Sequence, residues 1–266
     1  MADLFVRGAA NDAGGGVQTI TISIDGTGCD ALAVCISHNQ TDDPISTVTY
    51  AGAACSALDT SNNGTTLRMS VYQKIAPATG VNNVVVTFAA PLNHSSAAGA
   101  HMFVGTDQTT PFINVQKASG TSVTASVTLT SIGALNSGFD GVAATPSTSI
   151  NTPTQNQSFV DNNPTECVGG SEAAGNASRT FQWTITASAP WASIAFEVQA
   201  KTGVIPSTGA YQQEQSTTDR YLLEDGSGVY LIEPWGTVSS GIFPPWWYGD
   251  LSGIGSPGRF FKDRLN

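Results

Sequence analysis

Nucleophilic chemistry in this 266-residue sequence would have to use one of three histidines, His38, His94 and His101, because suitable serines and aspartates are plentiful. A serine becomes a nucleophile when a histidine accepts its proton and a third group orients the histidine. His38 ends a predicted strand. His101 falls within the strand-like segment 100–103, where a packed, hydrogen-bonded imidazole is the more common arrangement. No nucleophile-elbow, phosphate-loop or zinc-protease motif occurs in the chain. We therefore predict no catalytic residues and no enzymatic activity.

Paired carboxylates, which glycoside hydrolysis requires, are poorly represented. A glycosidase needs two acidic side chains that converge in a cleft. Only Glu166, Glu172 and Glu197 among the glutamates precede residue 200, and the first two fall in a segment rich in loop-forming residues. The sequence therefore gives a hydrolase little support.

Three aspartates in turn-like segments could bind calcium. Asp42 and Asp43 fall in residues 39–44, and Asp107 falls in the similar residues 105–111. Calcium prefers oxygen ligands supplied by loops. Aspartate also stabilises turns, by accepting hydrogen bonds from its own backbone. The turn interpretation is favoured and calcium stays open, so no cofactor and no metal are predicted.

The cysteines are expected to be free thiols. Cys29, Cys35, Cys55 and Cys167 form no Cys-x-x-Cys pair, and no histidine lies at zinc-ligand spacing from them. The N-terminus has no basic segment followed by an apolar one, so no secretory signal is predicted. Cytoplasmic synthesis would keep the thiols reduced. The three possible disulfide pairings remain the alternative.

The composition indicates a surface of hydroxyl groups rather than charges. Serine and threonine number 58, whereas only 11% of the residues are charged. The 20 acidic and 10 basic side chains give a net charge of −10. Nucleic-acid binding needs clustered lysine and arginine, and no apolar run reaches the roughly 18 residues of a membrane span. We therefore predict neither a nucleic-acid nor a membrane partner.

Hydrophobic alternation predicts an all-β fold for residues 1–200. Ile20, Ile22 and Ile24 alternate with threonine and serine, a period of two that is typical of strands with one buried face. The same period recurs in residues 31–36, 84–88, 123–129, 181–185 and 194–198. We expect nine to eleven short strands in two packed sheets, forming an antiparallel β-sandwich of the jelly-roll type.

Residues 146–177 are predicted as long loops around a short strand near 158–160. They are rich in Ser, Thr, Asn, Gln and Gly and poor in apolar residues. Long loops on a rigid sandwich are common binding sites. A glycan-binding module that uses these loops is therefore the functional alternative from another class.

Residues 201–266 are predicted as an extended C-terminal arm with a β-hairpin, in which 220–224 pairs with 229–233. Two prolines in 241–248 exclude a central strand. The arm is too small to bury its aromatic side chains alone, so we expect it to dock on its own sandwich, a sister subunit or a larger assembly. A sugar-stacking platform is the alternative to an interface anchor. The predicted anchor residues are Tyr221, Leu223, Trp235, Phe243, Trp246, Trp247, Tyr248, Phe260 and Phe261.

Four segments of the predicted sandwich resemble a known structural module. They are residues 45–52, 77–88, 105–112 and 191–197. Together they are similar to a β-sandwich module of structural proteins from tailed bacteriophages, over roughly residues 17–200. The module has no defined chemistry, so the resemblance brings no catalytic residues.

The segment 219–233, DRYLLEDGSGVYLIE, is similar to a short element near the ends of phage virion proteins. The two resemblances imply a non-enzymatic virion protein that is made in the host cytoplasm. Its implied partners are other virion proteins, such as the major capsid protein or tail and neck proteins. Capsid decoration or a head fibre is the first expectation, and a tail, fibre or neck component is the second. A homo-oligomer, with a trimer as one form, and a host-surface glycan are the further expected partners.

Overall fold

The computed structural model describes residues 5–39, 43–64, 67–145, 149–162, 167–175 and 177–201, and the backbone of two short strands at 220–222 and 229–231. The chain divides into two compact units, Met1–Pro206 and Ser207–Asn266.

The described part of the first unit forms fifteen strands and no helix. In chain order they are β1 (Phe5–Ala13), β2 (Thr19–Asp25), β3 (Ala31–Asn39), β4 (Ile45–Tyr50), β5 (Ala53–Ala54), β6 (Ser56–Asn63), β7 (Leu67–Ile75), β8 (Val81–Phe88), β9 (Ser96–Phe103), β10 (Phe112–Leu129), β11 (Ser137–Ala144), β12 (Ile150–Pro153), β13 (Asn156–Asn162), β14 (Cys167–Ala174) and β15 (Arg179–Val198).

These strands form three antiparallel sheets. The central sheet has the order β1-β9-β3-β7-β6, and the outer sheet has the order β2-β8-β4-β5. The long-strand sheet has the order β10-β15-β11-β14-β13, with β12 paired to β15. The predicted all-β, antiparallel sandwich is confirmed. The prediction of two sheets with nine to eleven strands is wrong, because a third sheet covers the second face of the central one.

The central sheet is buried on both faces. All nine residues of β3 and all eight of β9 are buried. Within residues 31–36, the even-numbered side chains join the core shared with the outer sheet. The odd-numbered side chains join the core shared with the long-strand sheet. The sequence predicts a single buried face for this segment, which is typical of an outer strand. β3 is instead an inner strand with both faces buried.

β10 and β15 form a long ribbon that bends back over its own sheet. At the bend, residues 185–188 of β15 lie opposite a single residue of β10, Val123. Beyond the bend, Phe181 packs in one cluster with Ala195 of the same strand, so the returning half of the ribbon covers the sheet. β12 pairs with this half and completes a fourth layer. Val123, expected among the buried positions of 123–129, is 51% exposed at the bend.

Most of residues 146–177 form strands, so the prediction of long loops is wrong. β13 contains the strand expected near 158–160, but the sequence pattern misses β12 and β14. β14, CVGGSEAA, has few large side chains because aromatic rings occupy their space. A Cβ on Gly169 would meet the Trp183 ring at 2.8 Å, and a Cβ on Gly170 would meet the Phe159 ring at 2.5 Å. Small residues here reflect close packing, not a loop.

In the second unit, β16 (Arg220–Leu222) and β17 (Val229–Leu231) pair in antiparallel fashion, with Tyr221 opposite Tyr230. This is the hairpin that the sequence predicts.

Gly99 of β9 provides a test of the packing between layers, because a methyl group at this position would overlap the Phe159 ring. The Gly99→Ala replacement is expected to lower the free energy of unfolding by about 1–3 kcal/mol, measured by urea denaturation. Gly14→Ala is the control, because a Cβ there meets no atom within 4 Å. Phe159→Ala removes the ring that the new methyl group would overlap. The double variant should therefore lose less free energy of unfolding than the sum of the losses in the two single variants. Simple additivity would contradict the contact.

Candidate functional site

His38 and Ser70 form the arrangement most like a catalytic one. His38 Nε2 lies 3.0 Å from Ser70 Oγ, and His38 Nδ1 lies 3.0 Å from the carbonyl oxygen of Asp43. A carbonyl oxygen can only accept, so Nδ1 carries the ring proton and Nε2 accepts the Ser70 hydroxyl hydrogen. Burial lowers the pKa of His38 to about 4, so the ring is neutral at pH 7. Ser70 thus has the histidine partner that a nucleophile needs.

Burial keeps a substrate from this pair. Ser70 is 2% and His38 is 1% exposed, and the Phe88 ring lies 6.3 Å from the imidazole between ring centroids. A reacting carbonyl would have to come within about 3–3.5 Å of Oγ, which side chains this deeply buried do not permit. His38 instead forms hydrogen bonds that join the end of β3 to β7 and to the main chain at Asp43.

The Asp43 carboxylate forms hydrogen bonds with the segment that connects β8 and β9. It accepts hydrogen bonds from the main-chain N–H of Asn93, at 2.6 Å, and of His94, at 3.0 Å. His94 Nδ1 also lies 3.4 Å from Asp43 Oδ2. Both carboxylate oxygens therefore bind the protein's own groups, and His94 is joined to an aspartate. Asp42 lies outside the described residues.

Asp107 forms the turn that the sequence favours. Its Oδ1 accepts hydrogen bonds from the main-chain N–H of Thr109 and of Thr110, each at 2.8 Å. These bonds lower the pKa of Asp107. Within the ranges that the structure describes, no three His, Cys, Asp or Glu side chains come together as a metal-ligand group. Asp43 and Asp107 thus give the calcium alternative no support.

Asp140 of β11 is a fully buried carboxylate with three hydrogen-bond donors. Ser171 donates to Oδ1 from its main-chain N–H, at 2.8 Å, and from Oγ, at 2.7 Å. Trp183 Nε1 donates to Oδ2 at 2.8 Å. Desolvation by burial outweighs these bonds and raises the pKa of Asp140 to about 7. Sequence reasoning missed this group, although an aspartate inside the apolar run 139–144 was an available signal.

His101 joins the Asp140 cluster from the central sheet. Its Nε2 donates to the main-chain oxygen of Asp140 at 3.3 Å, and burial lowers the pKa of His101 to about 3. The packed, hydrogen-bonded imidazole predicted for His101 is confirmed. Ser171, Trp183 and His101 reach Asp140 from three other strands. The hydrogen bonds around Asp140 therefore connect the central sheet to the long-strand sheet.

The described glutamates do not form a glycosidase pair. Glu197 and Ala173 both pair with Gly138, so these three residues point to the same face of the sheet. Glu172, next to Ala173, therefore points to the opposite face. Glu197 is buried and accepts hydrogen bonds from the connection between β10 and β11. Glu166 lies outside the described residues.

Cys29, Cys35 and Cys55 are free thiols, as predicted. Burial raises the pKa of all three, and that of Cys55 reaches about 11. Because the thiolate is the reactive form, the raised pKa values favour the less reactive thiol form at neutral pH. The side chain of Cys167 is not among those described.

The outer faces of the two outermost layers carry neutral polar side chains. On the returning ribbon the cross-strand pairs are Thr124–Thr184, Ser126–Gln182 and Thr128–Thr180. On the outer sheet, the rows are Thr19–Thr87–Thr47 and Thr21–Val85–Thr49. The exposed large apolar side chains of the described chain include no aromatic ring; they are Val17, Ile75, Val81, Val123 and Leu135. The described sandwich thus offers hydroxyl and amide groups, but no stacking platform for a sugar.

The predicted anchor residues lie almost entirely beyond the described chain. The backbone of Tyr221 belongs to β16. The other eight are Leu223, Trp235, Phe243, Trp246, Trp247, Tyr248, Phe260 and Phe261. Their anchoring role stays a prediction.

No model of a known protein family matches this chain, and no curated protein matches it either. The described residues include no helix long and apolar enough to span a membrane. The function has to be inferred from the chain itself.

Asp140→Asn tests the buried carboxylate. The folded protein keeps the Asp140 proton up to about pH 7, whereas an ordinary aspartate, with a pKa of 3.8, loses it near pH 4. The folded state binds more protons between these values, so the contribution of Asp140 to the free energy of unfolding falls as pH rises from about 4 to about 7. In urea denaturation, the stability of the wild type minus that of the variant should fall by about 3 kcal/mol over this range.

The control for this pH dependence is Asp107→Asn, at an exposed carboxylate whose pKa is lowered. The difference in free energy of unfolding between the wild type and this variant should stay constant between pH 5 and pH 7. Asp107 is ionised in both the folded and the unfolded state over this range. A constant difference for Asp140→Asn as well would contradict the raised pKa of Asp140.

Proposed function

We propose that this chain is a non-enzymatic structural component of a tailed-phage virion. In this role the first unit is displayed on the particle and residues 201–266 attach it. Capsid decoration or a head fibre is the favoured position, with the major capsid protein and sister copies as partners. A tail or neck position is the second choice. The resemblance of four sandwich segments and of residues 219–233 to phage structural proteins supports this proposal.

The observation that carries the proposal is that the chain enters and leaves the sandwich at one end. Phe5 of β1 pairs with Phe103 at the end of β9. The N–H of Lys201 donates to the carbonyl oxygen of Gly105, two residues after β9. At the other end of the same pair of strands, Ala13 lies opposite Ser96. A partner that binds the residues after Lys201 therefore tethers the sandwich by this end, as a displayed module requires.

Buried polar side chains that form hydrogen bonds within the fold give the proposal further support. His38, Asp43, Asp140 and Glu197 each bind neighbouring parts of the fold. The outward side chains on the outermost layers are mainly threonine and serine, which keep the surface hydrated without clustered charge. Such a module suits display on a particle better than turnover of a small substrate.

The proposal is tested on particles of the phage that encodes the chain. Mass spectrometry of purified, DNA-filled particles should find peptides of this protein at many copies per capsid. The double replacement Trp246→Ala/Trp247→Ala should reduce incorporation at least about tenfold, since losing a buried aromatic anchor costs on the order of 1–4 kcal/mol. Thr184→Ala, an exposed change on the returning ribbon, is the control and should incorporate normally.

The possible results separate the parts of this proposal. Absence of the chain from particles would overturn the virion role. Normal incorporation of the double variant would overturn the aromatic anchor alone. Glycan-array binding by a chain that ends at Lys201, together with absence from particles, would favour the glycan-binding alternative.

A further inference from the structure

Several sheet edges of the sandwich are partly closed by side chains. A free edge leaves main-chain N–H and C=O groups that another strand can join. On β2, Asn11 Nδ2 donates to the carbonyl oxygen of Thr21 at 2.8 Å. On β12, Asn162 bonds both the N–H of Ile150, at 2.8 Å, and its carbonyl oxygen, at 3.2 Å. Lys74 Nζ donates to a carbonyl oxygen of β5 at 3.1 Å.

β10 is the outermost strand of its sheet among the described strands, and it lacks such closure between Lys117 and Thr121. Thr121 lies opposite Pro190, whose carbonyl oxygen accepts a hydrogen bond from Thr145 on the far side of β15. Pro190 and Thr121 are therefore not hydrogen-bonded to each other, and the N–H and C=O of Thr121 point to the unpaired side of β10. Because these directions alternate along a strand, the groups of Ser119 and Lys117 point there too. We call Lys117–Thr121 the open edge.

The neighbouring strand β6 lies beneath the ribbon and leaves the open edge uncovered. Asn63 of β6 donates to the main-chain oxygens of both Gly120 and Trp191. Those two residues lie opposite each other in β10 and β15, so the Asn63 amide sits under the middle of the ribbon. No described residue hydrogen-bonds the outward main-chain groups of the open edge.

We propose that the open edge joins the same edge of a second copy of this chain, in antiparallel register about a two-fold axis at Ser119. Each Lys117 then lies opposite Thr121 of the other copy, and the two Ser119 residues lie opposite each other. No like charges meet, and the outward N–H and C=O groups of the three residues gain partners. The flanking valines complete a self-complementary pattern: Val115 is partly buried, and Val123 is 51% exposed.

This contact gives a role to Val123, an exposed valine that lies just beyond the open edge of β10. In the proposed register each Val123 approaches Val115 of the other copy, which buries apolar surface at both ends of the paired segment. A two-fold contact between identical edges is complete with two copies. The pairing is independent of the role of residues 201–266 and of the virion proposal.

Ser119→Pro is the first test, on the full-length chain. Proline removes the outward N–H of residue 119 and needs no change in the bonds between β10 and β15. In sedimentation equilibrium at high protein concentration, the variant should show about half the apparent mass of the wild type. Ser119→Ala keeps the N–H and should keep the wild-type mass. Equal masses for Ser119→Pro and the wild type would overturn the proposal.

Cross-linking tests the register without relying on proline. Directly opposed, hydrogen-bonded residues have Cα atoms about 5.5 Å apart, within reach of a disulfide. Ser119→Cys should give a covalent dimer on oxidation. Lys117→Cys should cross-link only when mixed with Thr121→Cys. Thr184→Cys, exposed on the returning ribbon, sets the background, and a Ser119→Cys dimer no more abundant than that background would contradict the pairing.

Discussion

The burial of both faces of the central sheet is the constraint on which most of this structure depends. An inner strand has no face for solvated side chains, so β3 and β9 consist largely of small and apolar residues. A buried polar group in such a strand usually has a hydrogen-bond partner. His38 bonds to Ser70, and His101 to Asp140. Two residues whose types indicated chemistry in the sequence therefore have structural roles: His38 joins neighbouring strands of the central sheet, and His101 joins that sheet to the long-strand sheet.

The same constraint determines where glycine occurs. Stacked sheets approach closely only where one layer provides space for the rings of the next. The Phe159 ring occupies the space beside Gly99 and Gly170, and the Trp183 ring occupies the space beside Gly169. The glycine and serine residues of β14 thus have a packing role. Asp140 completes the arrangement, because it binds the indole N–H that Trp183 brings into the core.

Alternation in the sequence was sufficient to predict the fold class, because outer strands such as β2 and β8 do repeat every two residues. It could not reveal the third sheet, since an inner strand with small residues on one face resembles an outer strand. Nor could it reveal β14, whose composition is that of a loop. Asp140 binds Ser171 and Trp183, which follow it by 31 and 43 positions in the sequence. No local sequence pattern encodes contacts over such separations. The His101 environment was predictable because its own strand is apolar.

The arrangement of closed and open edges bears on how copies of this module would behave when crowded. In the proposed virion role, many copies attached through residues 201–266 share a small volume. A contact too weak to matter in dilute solution then becomes effectively intramolecular. Closed edges on β2, β5 and β12 limit uncontrolled strand pairing under these conditions. The self-complementary edge at Lys117–Thr121 is different, because pairing with its own equivalent uses up its free groups and ends the contact at two copies. Attachment at one end of the sandwich and pairing along β10 would therefore act together to fix the position of each copy.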